Sequence, residues 1–166
     1  MKNTLKTLAS IALVAALAAC SKEEAPEAEF IDDGSEVSIS SEVRGVVAGS
    51  QDDLNARAGN TVYFAYDKAN LSAEATRTLK KQAAWLKMFP KVNIIIEGNC
   101  DERGTRKYNQ ALGEKRANAA KRYLIAQGIS AKRITTVSYG KDKPAVLGNT
   151  EAAYAKNRRD VTIIAK

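Results

Sequence analysis

The middle of the chain contains its most constraining pattern, an apolar run followed by a polar loop and a long helical segment. The run at residues 92–96 is rich in β-branched side chains and is too short for a helix, so it predicts a buried β-strand. Glu97 and Gly98 end the strand, and residues 99–105 form a loop of turn-favouring residues. The helix that follows has an apolar stripe at Leu112, Ala119, Tyr123 and Leu124. Such a unit holds polar side chains at the carboxyl edge of a sheet, so we expect a recognition site there.

The flanking sequence predicts three more strands and a second long helix. Residues with high β-propensity mark the strands, at 61–66, 134–139 and 160–165. The second helix is predicted from Ala73 to about Phe89, because Ser72 is a suitable N-cap and Pro90 ends the segment. Its apolar stripe comprises Ala75, Leu79, Ala83, Leu86 and Phe89.

These elements follow one another in the order β-α-β-α-β-β. Two right-handed β-α-β crossovers give parallel neighbouring strands, and the last strand can add in the antiparallel direction. We therefore expect an α+β fold, a two-layer sandwich in which the helices cover one face of a mixed sheet. The capping-box spacing from Ser50 predicts a short helix to about Arg57, and residues 151–157 suit one helical turn.

The amino end of the chain, residues 1–19, has the form of an export signal. Lys2 and Lys6 precede an apolar stretch that is too short, and followed by too polar a segment, for a stable membrane-spanning helix. The segment ends in LAAC, which resembles a bacterial lipobox. The resemblance implies diacylglycerol attachment to the thiol of Cys20, cleavage before it and acylation of the new amino end. Ser21 stands where an Asp would imply inner-membrane retention, so the lipobox implies an outer-membrane anchor with the domain facing the periplasm. The alternative is an ordinary secretory signal with an incidental cysteine.

Residues 20–49 have the composition of a flexible tether, and residues 50–166 have that of a folded domain. Charge follows this division. Ser21–Glu36 contains one Lys and seven acidic residues, whereas Arg57–Lys166 contains 22 Lys and Arg against 9 Asp and Glu, a net charge of +13. Basic domains usually meet an anionic polymer, a membrane surface or nucleic acid. The export signal and the lack of a base-stacking aromatic row argue against nucleic acid.

The chain has no His, which removes the usual general base, the Ser-His and Cys-His nucleophile pairs and most zinc sites. We therefore predict no catalytic residue, no metal and no cofactor. A hydrolase acting on the cell wall is the alternative, because wall cleavage can use a carboxylate pair. The acids near the central loop are Glu97, Asp101 and Glu102.

Several spaced motifs resemble the OmpA-like peptidoglycan-binding domain family. They are IEGNCDERGT at residues 96–105, Tyr108-Asn109, Leu112-Gly113-Glu114, Arg116-Ala117 and Asn157-Arg158-Arg159. The resemblance covers roughly residues 50–166. Asn99 departs from the aromatic or His that many relatives carry at that position. The resemblance implies noncovalent binding of meso-diaminopimelate, in the stem peptide of peptidoglycan, and a partnership with periplasmic Tol proteins, TolB in particular.

The physical reading of the residues agrees with a small zwitterionic ligand. Asp101 would supply a carboxylate for the ammonium group, and Arg116 a planar fork for the carboxylate. Arg116 follows Leu112 by one helical turn, which places it at the core-facing edge of the helix. The resemblance adds further contacts at Phe64, Asp67, Asn99, Leu112 and Arg158.

Other readings of the same residues remain open. Asp101 could cap its own loop, and that role is compatible with ligand binding. Arg116 could be a surface Arg with a packed stem. Cys100 is expected to be a small buried residue without a disulfide, and residues 103–107 are expected to form a solvated loop edge.

Overall fold

The structure, a computed structural model, describes residues 45–165. The predicted export signal, the acylated Cys20 and the tether up to residue 44 lie outside the described residues. The elements in chain order are α1 (Gln51–Arg57), β1 (Thr61–Tyr63), α2 (Ala73–Met88), β2 (Ile94–Asn99), α3 (Arg106–Ala126), a 3-10 turn (Ala131–Arg133), β3 (Ile134–Gly140), α4 (Glu151–Asn157) and β4 (Arg159–Ile164). Within residues 45–165, none of the helices combines the length and apolar character needed to cross a membrane.

The four strands form one mixed sheet in the order β1-β4-β2-β3. β2 pairs parallel with β3 and antiparallel with β4, and β4 also pairs antiparallel with β1. The α+β prediction is confirmed, but the expectation that the first crossover joins neighbouring strands is wrong, because β4 lies between β1 and β2. The three-residue β1 offers few hydrogen-bonding groups, whereas the six-residue β4 pairs along both of its edges.

β1 ends three residues earlier than the sequence predicted. The backbone of Phe64 still bonds to Arg158, with 3.0 Å between the amide nitrogen and the carbonyl oxygen. The chain then turns at Asp67, a non-glycine residue in the left-handed region with φ of 54°. This early turn frees residues 65–68 to form a loop at the carboxyl edge of the sheet.

The hydrophobic core lies between the sheet and the layer made by α2 and α3. The predicted stripe of α2 is confirmed at Ala75, Leu79, Ala83 and Leu86, all of which are buried. On α3 the buried face is rotated slightly from the prediction. Ala119 and Tyr123 are half-buried, and the apolar residues packed against the sheet are Ala117, Ala120 and Leu124.

α3 crosses β2 at two glycines, and this close approach positions the recognition edge. A Cβ added to Gly98 would lie 2.0 Å from the carbonyl oxygen of Gly113, far inside van der Waals contact. The crossing therefore requires glycine on the strand. Because Arg116 lies three residues after Gly113, its side chain begins directly beside the carboxyl end of β2.

Candidate ligand-binding site

A cavity of about 380 Å³ opens at the carboxyl end of β2. Its walls come from three segments: the loop after β1, the loop after β2 and the first turns of α3. The lining residues are Tyr66, Asp67, Cys100, Asp101, Arg103, Gly104, Thr105, Tyr108, Asn109, Leu112 and Arg116. The two central residues of the sequence prediction, Asp101 and Arg116, thus face the same cavity.

Asp101 is held by two guanidinium groups in the wall of the cavity. Its carboxylate accepts hydrogen bonds from Arg103 Nη2 at 2.7 Å and from Arg158 Nη1 at 3.2 Å. Burial alone would raise the pKa of Asp101, but the bonds from Arg103 and Arg158 outweigh it and hold the pKa below its ordinary value. Oδ1 also accepts the backbone N–H of Arg103 at 3.1 Å, so Asp101 caps its own loop as well.

Arg103 is built into the site, and the expectation that residues 103–107 form a solvated edge is wrong for this residue. Its guanidinium carbon lies 4.0 Å from the ring centre of Tyr66 and 4.4 Å from that of Tyr154. Nη1 forms an ion pair with Glu151 at 3.2 Å. Contacts with two aromatic rings and ion pairs with two carboxylates fix the side chain beside Asp101.

Arg116 forms the floor of the cavity and has no exposed surface. Nε donates to the carbonyl of Lys68 at 2.8 Å, Nη1 to Asn99 at 3.0 Å and Nη2 to Ala65 at 3.2 Å. Desolvation lowers the pKa of Arg116. The surface-Arg alternative is therefore wrong. The guanidinium ties the loops after β1 and β2 together and brings a positive charge to the cavity, with most of its fork already engaged by carbonyls.

Asp67 and Tyr108 form another part of the cavity wall. The Tyr108 hydroxyl donates a hydrogen bond to Asp67 Oδ1, and this bond raises the pKa of Tyr108. Leu112, one turn further along α3, gives the cavity an apolar patch. Carboxylates, guanidinium groups and an apolar surface thus converge on one cavity, which suits a ligand that has an aliphatic stem and a charged head.

Three predicted site residues lie behind the cavity wall. Phe64 is buried, with its ring centre 5.1 Å from the guanidinium carbon of Arg116. Arg158 bonds to the carbonyl of Phe64 at 3.0 Å as well as to Asp101. Asn99 has no exposed surface, and its side chain donates to the Glu97 carbonyl at 3.1 Å. These residues support the lining residues rather than face the cavity.

The sequence prediction did not include Tyr66, Arg103 or Tyr108. Tyr66 directly precedes Asp67, and Tyr108 lies in the first turn of α3. An aromatic residue next to each predicted loop was therefore the sequence feature that could have indicated these two lining residues. Cys100 is buried, as expected, and is a free thiol within the described residues. No three His, Cys, Asp or Glu side chains of residues 45–165 converge into a metal site.

The sequence resembles known proteins along almost its whole length. The sequence profile of the OmpA family matches residues 63–158. The chain is 45% identical over 163 residues to the peptidoglycan-associated lipoprotein of Pasteurella multocida, covering 97% of this chain and 98% of that protein. It is 44% identical over 161 residues to the protein of the same name from Haemophilus influenzae, again covering 97% and 98%.

Two solved structures share the fold. The peptidoglycan-associated lipoprotein from Burkholderia pseudomallei superposes with a TM-score of 0.62 at 42% identity, covering 64% of this chain and 90% of that one. The C-terminal domain of Helicobacter pylori MotB superposes with a TM-score of 0.60 at 20% identity, covering 64% and 84%. At that identity the second likeness concerns the fold alone.

Proposed function

Because the chain belongs to the OmpA family, we propose that it binds peptidoglycan noncovalently through this cavity. The ligand in this proposal is the zwitterionic head group of meso-diaminopimelate in the stem peptide. The observation that carries the proposal is the convergence of Asp101 and Arg116, far apart in sequence, on one cavity of about 380 Å³.

The chemistry of the walls fits an amino-acid head group. Asp67 and Asp101 offer carboxylates to an ammonium group, and charge-assisted hydrogen bonds are the strongest available. Arg103 and Arg116 offer positive charge to a carboxylate. Leu112 and the ring of Tyr66 give the aliphatic stem of the ligand an apolar surface. Because Arg116 is engaged by carbonyls, Arg103 is the better placed of the two cations for a direct bond.

We further propose that the protein acts as a structural link and not as an enzyme. Acylation of Cys20 would anchor it in the outer membrane, and the domain would then hold the wall from the periplasmic side. The relatives named above are called peptidoglycan-associated lipoproteins, which supports this assignment. A role with TolB and other Tol proteins, in envelope integrity and cell division, completes the proposal.

Sedimentation with purified cell-wall sacculi tests the proposal. The full chain carrying Cys20→Ser, which prevents acylation, should sediment with sacculi. Asp101→Ala and Arg116→Ala should remain in the supernatant, while Lys156→Ala, an exposed residue of α4, should sediment like the parent. Arg116→Lys serves as a second variant if Arg116→Ala does not fold. Sedimentation of both site variants at the parental level would refute the site, and release of soluble muropeptides would support the hydrolase alternative.

A further inference from the structure

Asp160 is a buried acid that the proposed site does not use. It lies in β4 between Val62 of β1 and Gly98 of β2, and only 1% of its surface is exposed. Two residues later, Thr162 donates a hydrogen bond to Gln82 of α2 at 2.9 Å. Because side chains alternate along a strand, Asp160 points into the same helix-facing layer as Thr162. It therefore lies under the point where α3 crosses Gly98.

Neither carboxyl oxygen of Asp160 has a hydrogen-bond partner within residues 45–165. An ionised carboxylate in that position would be desolvated without a donor, which is among the costliest arrangements in a protein. The neutral acid avoids most of that cost. In agreement, burial raises the pKa of Asp160 well above its ordinary value, although the charge of Arg116 opposes the shift.

Arg116 is the cation whose field reaches Asp160 most strongly. It comes from α3, and the other titratable groups around it are Cys100 and Asp101 of the loop after β2 and Arg158, which directly precedes β4. The Arg116 guanidinium bonds only to neutral acceptors, three carbonyls and the Cys100 sulfur at 3.4 Å. Asp101 is already paired with Arg103 and Arg158. The charge on the cavity floor therefore depends on the state of Asp160.

We propose that Asp160 is a specificity-determining residue: as an uncharged acid beneath the floor, it leaves the positive charge of Arg116 available to an anionic group of the ligand. Ionisation of Asp160 cancels that charge and weakens binding of the anionic group. This inference rests on the proposed function, since the anionic group is the carboxylate of the amino-acid head group. For the cancellation of one unit charge at the floor of the cavity, we expect an effect on affinity of about tenfold.

The first measurement needs no ligand. Carbon-13 NMR of the full chain, with Asp160 assigned by comparison with Asp160→Asn, follows the carboxyl resonance from pH 4 to pH 9. The expected result is a resonance that keeps the chemical shift of a protonated acid above the pH range in which exposed Asp side chains titrate. A resonance that titrates near pH 4 would overturn the inference whatever the ligand does.

The second measurement follows the affinity for a diaminopimelate-containing peptide over the same pH range. Wild-type affinity should fall about tenfold as the pH rises through the transition seen by NMR, whereas Asp160→Asn should keep its low-pH affinity throughout. Asp53→Asn, a buried acid on α1, is the matched control and should follow the wild type. Parallel profiles for wild type and Asp160→Asn, or tighter binding by Asp160→Asn below the transition seen by NMR, would overturn the inference.

The two measurements separate this inference from the proposed function. If wild type fails to bind the peptide at every pH, the proposed function fails, and the ligand-selective role of Asp160 fails with it. If wild type binds and the Asp160 carboxyl titrates near pH 4, only the inference about Asp160 fails.

Discussion

Two arginines perform the same structural task at opposite ends of the sheet. Arg133, at the amino end of β3, donates to the carbonyls of Leu86, Phe89 and Val92, with nitrogen–oxygen distances of 2.8 to 3.1 Å. Arg116, at the carboxyl end of β2, donates to three loop carbonyls at similar distances. Desolvation lowers the pKa of both guanidinium groups.

The difference between them lies in the loops that they hold. Arg133 fastens the single connection between α2 and β2, which encloses the apolar core. Arg116 joins two separate loops, after β1 and after β2, and the space between those loops is the cavity. A buried Arg bonded to carbonyls therefore does not by itself indicate a binding site. A binding site is indicated because the two loops bonded to Arg116 carry both acidic and basic side chains and leave a cavity between them.

Two buried acids extend the comparison between the ends of the sheet. Asp53, at the end that holds Arg133, accepts from the Gly49 amide at 3.0 Å, from Trp85 at 2.9 Å and from Arg57. The Gly49 bond is the largest cause of its lowered pKa. Asp160, at the cavity end, has no such partners among residues 45–165 and has a raised pKa. Asp53 thus has hydrogen-bond partners for its carboxylate, whereas Asp160 has none within residues 45–165.

The largest expected effect comes from removing each arginine in turn. Arg116→Ala should lower the free energy of unfolding by about 3–5 kcal/mol and abolish peptide binding, because it removes a fully buried side chain and leaves three carbonyls without their donor. Arg133→Ala should lower it by about 1–2 kcal/mol, since Arg133 is half-buried and water can replace it, and should leave peptide affinity unchanged. Urea denaturation and binding titrations measure both. Equal loss of affinity in the two variants would contradict the proposal that Arg116, and not Arg133, supports the ligand-binding cavity.

Next in size is the loss of the carboxylate at the cavity end. Asp101→Asn should weaken peptide binding at least tenfold, because it removes the charge that receives the ligand ammonium and releases Arg103 and Arg158. Isothermal titration calorimetry measures the change. Asp142→Asn, an exposed acid paired with Arg106, is the control and should bind within about twofold of wild type. A normal affinity for Asp101→Asn would exclude it from the ligand contact.

The two buried acids should respond to pH in opposite directions. The pKa of Asp53 is lowered, so its contribution to stability is present above its ordinary pKa and is lost as the pH falls through the lowered value. The pKa of Asp160 is raised, so stability is greatest below its ordinary pKa and falls as the pH rises towards the raised value. Asp160→Asn should therefore be more stable than wild type at neutral pH, and Asp53→Asn less stable.

Thermal unfolding of both variants between pH 3 and pH 8 measures these slopes. The difference between wild type and Asp160→Asn should increase with pH, whereas the difference between wild type and Asp53→Asn should shrink as the pH falls. If stability changes with pH in the same direction for both variants, Asp53 and Asp160 do not differ in their hydrogen bonding as described above.

The smallest expected effect concerns the aromatic support of Arg103. Tyr66→Leu should weaken peptide binding by about two- to fivefold, because it removes one of the two rings that flank the guanidinium. Phe89→Leu, which changes an aromatic residue at the other end of the sheet, should leave affinity unchanged. Fluorescence titration with a labelled peptide is sensitive enough for this range. An unchanged affinity for Tyr66→Leu would show that the second ring, Tyr154, is sufficient.

Local patterns predicted much of the fold and part of the site. The strand-loop-helix unit, the α2 stripe and the position of Arg116 follow from residue spacing, which acts over one or two turns. The place of β4 between β1 and β2 depends on pairing between distant segments, which the crossover rule does not specify. The role of Arg103 likewise depends on Tyr154 and Glu151 of α4, which are distant in the sequence. Its position inside a charged turn therefore suggested only that the side chain is exposed to solvent.

We propose above that the cavity between the two loops bonded to Arg116 receives the zwitterionic head group. Chemical-shift mapping by NMR, with a diaminopimelate-containing peptide added to the nitrogen-15-labelled full chain, tests it most directly. We predict that the largest shifts fall on residues 65–68, 100–105 and 108–116, with little change around Arg133. Shifts concentrated elsewhere on the domain, or absent at millimolar peptide, would contradict the account.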